Sequence, residues 1–178
     1  ADDDYAGACE ALARAVGEAA ALRPGDRVLS LACGAGEELA LWRAAFGADA
    51  LVGIEADAAR AQAAAARVPD AEVMVQPVLD ALPLLPRAFD AVLCVDAAYH
   101  LRPRRRLFEQ VAGRLRPGGR FAFTDLVLDR RSSLRLRAAA WAAGVPDADL
   151  VDLPTRLAQL RQAGFAEIAA TRLDEPVL

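Results

Sequence analysis

The chain has 178 residues and a mass of 18.8 kDa, and its 55% hydrophobic content can close one domain core, yet no apolar run reaches the ~18 residues that cross a bilayer. A net charge of −4 argues against a nucleic-acid partner, and three scattered cysteines with a single histidine exclude a structural zinc site and fit a reduced, cytoplasmic protein with no metal. All 21 basic residues are arginine, which removes a P-loop lysine, a Schiff-base lysine and a lysine base.

The acidic start, "ADDDYAGACE", has no leader character. Tyr5 to Ala21 is expected as a helix closed by the "RPGD" turn, and Arg27 to Ala32 as a short apolar strand. Glu37 to Phe46 follows as a helix with Leu39, Trp42 and Phe46 on one face. Ala50 to Ile54 reads as the second strand, Asp57 as the cap of an alanine-rich helix reaching about Arg67, and Val73 to Gln76 as the third strand. "DALPLLPRAFD" is too proline-rich for a helix, and "AVLCVD" is the fourth strand. Pro103 suits the first position of a helix reaching Leu115, and "RPGGR" a tight turn into a fifth strand, "FAFTDLVL". Thr155 to Ala163 is expected as a helix and Glu167 to Leu173 as a sixth strand. Alternating strands and helices with near-continuous apolar strands mean an α/β fold, a Rossmann-like doubly wound parallel sheet in a single domain over residues 1–178. Ligands of such sheets lie at the carboxyl ends of the strands.

The loop "LACGAGEEL" sits at that place. A dinucleotide loop needs a third glycine where this chain has Leu39, and Glu37 and Glu38 open the helix where a pyrophosphate would lie. Phosphate is disfavoured, and a cationic, phosphate-free nucleoside is tolerated. Glu55 ends the second strand, where a carboxylate can accept from ribose hydroxyls. Glycines for close approach, a ribose carboxylate and no phosphate cradle together suggest S-adenosylmethionine.

Four stretches, "VLSLACGAGEEL", "LVGIEAD", "ALPLLPRAFDAVLCVDAAYHL" and "RLRPGGRFAFTDLVL", stand in the order and spacing of one family. Over Tyr5 to Leu173 the chain resembles the class I S-adenosylmethionine-dependent methyltransferases, in the branch of quinone C-methyltransferases and sugar or natural-product O-methyltransferases. The resemblance implies a cofactor site of Ala32, Cys33, Gly34, Gly36, Glu55, Ala56, Leu79, Asp80 and Asp96. It also implies an acceptor side of Tyr5, Tyr99 and Trp141, with His100 as general base and Asp125 to orient it or bind substrate. Residues 129–153, with Leu134, Ala138 and Trp141 at helical spacing, would be a lid-like insertion. Three positions depart from the family: Ser30 and Val78 stand where Asp is usual, and Ala32 where Gly is usual. The final antiparallel strand is also missing, so a further tail is expected. The "RPRRR" run from Arg102 is expected on the solvated start of its helix, because Leu107, Val111 and Leu115 form the buried stripe. The expected activity is methyl transfer to a small-molecule acceptor, on oxygen or carbon. The alternatives are a non-methylating binding protein and a cofactor-assisted cyclase or decarboxylase. Neither nucleic acid nor membrane is an expected partner, and no oligomer is indicated.

Overall fold

The computed structural model describes residues 2–128 and 150–173. Its elements in chain order are α1 (Asp2–Ala19), β1 (Arg27–Leu31), α2 (Glu37–Phe46), β2 (Ala50–Glu55), α3 (Ala58–Arg67), β3 (Glu72–Val75) and α4 (Val78–Ala81). They continue as β4 (Phe89–Cys94), α5 (Arg104–Arg114), β5 (Leu115–Phe123) and α6 (Leu153–Gln162). The five strands are parallel, in the order β3-β2-β1-β4-β5. The chain winds outward from β1 in both directions, so the switch point falls between β1 and β4, at the end of the glycine loop.

The apolar strands explain the two cores. Leu29 and Leu31 of β1 face one layer with Val92, Phe108 and Leu107, whereas Val28 faces the other with Trp42, Leu39 and Ala64. Alternation within one strand therefore feeds helices on both faces, which fixes β1 at the centre. Trp42 is fully buried and its indole N–H donates to the Ala13 carbonyl at 3.1 Å, tying α2 to α1. Asp57 caps α3 by accepting from the Arg60 amide at 2.9 Å, as its position suggested.

Three expectations change. "DALPLLP" does form helical turns, α4 and then a 3-10 turn over Leu82–Leu84, because Pro83 stands in a first turn where its missing N–H has no intrahelical partner. The "RPGGR" stretch lies inside β5 as a bulge: Phe89 pairs with Leu115, and pairing resumes only at Ala91 with Arg120. Gly118 takes a φ of 76° there. The strand also stops at Phe123, leaving Leu126 and Val127 exposed. Finally, Glu167–Leu173 forms no strand. Its alanines and polar residues have weak strand preference, and Phe165 and Ile168 reach the core without sheet pairing. Trp141, Leu134 and Ala138 lie outside the described residues. Leu128 and Asp152 are bridged, with the Leu128 amide donating to the Val151 carbonyl at 2.9 Å, so the insertion leaves and rejoins the domain at one place. Among the described residues no helix is long and apolar enough to cross a membrane, and no group of three acidic, cysteine or histidine side chains is placed to hold a metal.

Candidate active site

The two glycines of the opening loop have different tasks. Gly34 has a φ of 56°, and a Cβ built on it meets nothing within 4 Å, so its face is open toward the switch point. Gly36 has a φ of 83°, and a Cβ there would press on the Ala64 Cα at 2.8 Å. Gly36 therefore lets α2 start against α3, and Gly34 keeps the backbone bare where a ligand would approach. Ala32 holds a φ of 56° without being glycine, a strained conformation at the position where the family usually has glycine.

Glu55 organises this loop. It is 7% exposed, one carboxylate oxygen accepts from the Gly34 amide at 2.9 Å, and the other accepts from the Asp57 amide at 2.9 Å. Each oxygen keeps a second acceptor direction, which suits a pair of ribose hydroxyls. Ala56 lies between Glu55 and the Asp57 cap. Arg67 of α3 closes the loop from outside, through the Ala35 carbonyl at 2.9 Å and Glu37 at 2.6 Å. Cys33 lends backbone to the loop, and burial pushes its thiol up to about 12. On the far side, Leu79 is half-buried and its carbonyl accepts from Gln110 and Arg106 at 3.2 Å. Asp80 is exposed, 3.9 Å from Arg106, while Val78 turns into the core.

A carboxyl group does stand beside Ser30, brought there by α2. Ser30 is fully buried, and its hydroxyl donates to Glu38, the second residue of α2. Burial pushes the Glu38 carboxyl up to about 8, the Ser30 hydrogen bond opposing the shift. The relevant signal was a serine and a glutamate eight residues apart, and their contact depends on α2 folding back over β1.

The other half of the site follows β4. Asp96 has a φ of 48°, its amide donates to the Thr124 hydroxyl at 2.7 Å, and its carboxylate accepts from the Tyr99 hydroxyl at 2.7 Å. Burial, then this bond, pushes the Tyr99 phenol above its usual range. Tyr5 is 73% exposed on α1, and its phenol is raised chiefly by its bond with Cys9. His100 is exposed on the 3-10 turn Ala98–His100, its ring 4.4 Å from that of Tyr99. Leu150 packs against Tyr99 from the returning end of the insertion.

Asp125, expected to orient His100 or bind substrate, is held by two arginines. It accepts from Arg104, faces Arg156 at 2.8 Å, and takes the Leu126 amide at 2.9 Å. Burial raises its carboxyl, and the two guanidiniums pull it back. Arg104 is correspondingly buried at 3% exposure and not on a solvated helix start. The signal was present: Arg104, Leu107, Phe108 and Val111 follow one helical stripe, and all four are buried.

The five-stranded parallel sheet, wound outward on both sides of β1, defines a Rossmann-like α/β domain. Residues 29–123 match the methyltransferase domain family, and the chain belongs to the class I S-adenosylmethionine-dependent methyltransferases. It is similar to erythromycin 3''-O-methyltransferase of Saccharopolyspora erythraea, at 27% identity over 94% of this chain and 59% of that protein. It is also similar to O-methyltransferase cnsE of Penicillium expansum, at 30% identity over 93% of this chain and 61% of that one. The chain thus spans about three-fifths of the length of these two relatives. A methyltransferase from Thiobacillus denitrificans, solved with S-adenosyl-L-homocysteine, superposes with a TM-score of 0.66 at 24% identity, covering 85% of this chain and 62% of that one.

Proposed function

We propose that this domain binds S-adenosylmethionine and directs methyl transfer to a hydroxyl of a small natural-product acceptor. One observation carries the reading: the buried Glu55 carboxylate braces the open Gly34 backbone at 2.9 Å and keeps acceptor capacity for two hydroxyls. Bound there, the cofactor supplies an electrophilic methyl group. Glu55 and Ala56 hold its ribose end, Ala32, Cys33, Gly34 and Gly36 shape the loop under it, and Leu79 and Asp80 border the adenine side. With Val78 buried, backbone groups and the Leu79 side chain replace the usual carboxylate there. Asp96 presents its carboxylate to the cationic methionine end. Tyr5 and Tyr99 wall the acceptor, and His100 accepts the hydroxyl proton, for which an imidazole near neutral pH is suited. The names of two relatives, both O-methyltransferases, support an oxygen acceptor.

The test has two arms. Calorimetry should detect S-adenosylhomocysteine binding, which Glu55→Ala weakens. Incubation with S-adenosylmethionine and a panel of hydroxylated macrolides and phenols should give a product heavier by one CH₂. Binding without any methylated product would leave a cofactor-binding protein, and a product of unchanged mass would point to a cyclase.

A further inference from the structure

Three of the four arginines in "RPRRR" behave as surface residues should. Arg102, Arg105 and Arg106 are exposed, and Arg105 pairs with Glu109 at 2.7 Å along the helix. Arg104 does not. At 3% exposure its guanidinium donates to the Ala98 carbonyl with one nitrogen and to Asp125 with another. Asp125 in turn faces Arg156 of α6 at 2.8 Å, and the Arg156 guanidinium lies over the Phe108 ring at 5.8 Å. One buried fork thereby joins α5, the turn after β4, the segment after β5 and α6.

Stability alone is a weak reason for such a cluster, because withdrawing two guanidiniums and a carboxylate from water costs several kcal/mol per ion before their attraction repays it. The planar fork does have a geometric use: it serves two acceptors in fixed directions at once, which an ammonium cannot do. One of those acceptors opens the 3-10 turn that carries Tyr99 and His100. The other follows β5. Since Ala98 is fully buried and His100 exposed, the Ala98 carbonyl is the point at which the core grips the turn.

We infer that Arg104 is a positioning residue, which sets the Tyr99–His100 turn against the segment after β5 through the Ala98 carbonyl and Asp125. The inference rests on the methyltransferase reading only in giving that turn a task.

The test needs no acceptor. His100 is the only histidine, so the imidazole region of a proton–nitrogen correlation spectrum reports on this turn alone. Wild type should give one narrow set of imidazole signals. Arg104→Lys keeps the charge but can hold only one of the two acceptors, and it should broaden or split them. Arg104→Met should do so more strongly, and the lysine variant keeps the test alive if the methionine variant does not fold. In the folded variants S-adenosylhomocysteine should still bind, because Glu55 and the Gly34 loop make no contact with Arg104. Unchanged His100 signals in either folded variant would overturn the inference and leave Arg104 a structural residue. Wild type failing to bind S-adenosylhomocysteine would instead defeat the methyltransferase reading, and the imidazole spectra would still decide the role of Arg104.

Discussion

The glycine loop after β1 and the turn after β4 face the same switch point, and they are built by opposite means. The loop is held by neighbours close in space along β2 and α3: Glu55 on the Gly34 amide, Arg67 on the Ala35 carbonyl, and Gly36 against Ala64. Its geometry depends on backbone amides and on two glycines. The turn after β4 is held through side chains, with Arg104 on Ala98, Thr124 on Asp96, and Asp125 between two arginines. In the proposed function the cofactor is constant, whereas the acceptor is the partner that can vary. A backbone cradle suits the constant ligand, and an arrangement of exchangeable side chains suits the variable one.

The largest expected effect tests whether the turn does chemistry. His100→Ala should lower turnover by ~10²–10⁴ once an acceptor is in hand, with S-adenosylhomocysteine affinity unchanged. The pH–rate profile should lose its acidic limb. A variant that keeps the wild-type profile would reduce the turn to a wall. Asp125→Asn should not reproduce this loss through His100, because the carboxylate serves Arg104 and Arg156.

The loop can be dissected at its glycines. Gly34→Val should fold and lose S-adenosylhomocysteine by at least ~10²-fold, since its side chain enters open space where the ligand would lie, at about 1–2 kcal/mol of backbone strain. Gly36→Val should instead lose stability, by about 3 kcal/mol or more, through collision with Ala64. Thermal melts beside calorimetry separate the two, and identical behaviour would remove the distinction between ligand-facing and packing glycine.

A smaller effect concerns Glu38. Its carboxyl is raised to about 8 in the folded chain, whereas an unfolded glutamate titrates near ~4.3. Between those values the native state binds the extra proton, so this group's contribution to stability falls as pH rises through that window and levels off above about 8. From pH 6 to pH 9 wild type should lose about 2 kcal/mol more than Glu38→Gln, which stays neutral. Denaturant melts at the two pH values check it, and parallel curves would show that Glu38 is already ionised beside Ser30.

The helices that flank the loop were legible because their causes are local. Glu37–Phe46 follows from apolar spacing between Gly36 and Gly47, and Asp57 announces its own helix. Family spacing then located Glu55. The acceptor side was legible in its residues but not in their pairing. Asp125 could be placed after β5, yet its partners lie 21 residues before it and 31 after it, and no periodicity connects them. Arg104 was assigned to solvent because a run of arginines usually is solvated, although its own helix put it in line with Leu107, Phe108 and Val111. Glu167–Leu173 was misjudged for another reason. Strand formation needs a partner edge and apolar side chains at alternate positions, and an alanine-rich segment supplies little of the second.

The central claim is that Glu55 both braces the Gly34 loop and receives the ribose hydroxyls of the cofactor. Calorimetric titration of S-adenosylhomocysteine into folded Glu55→Ala tests it most directly. The account predicts a loss of about 1.5–3 kcal/mol, roughly 10- to 150-fold in affinity, the scale of hydrogen bonds to a charged group. Wild-type affinity in the folded variant would contradict it.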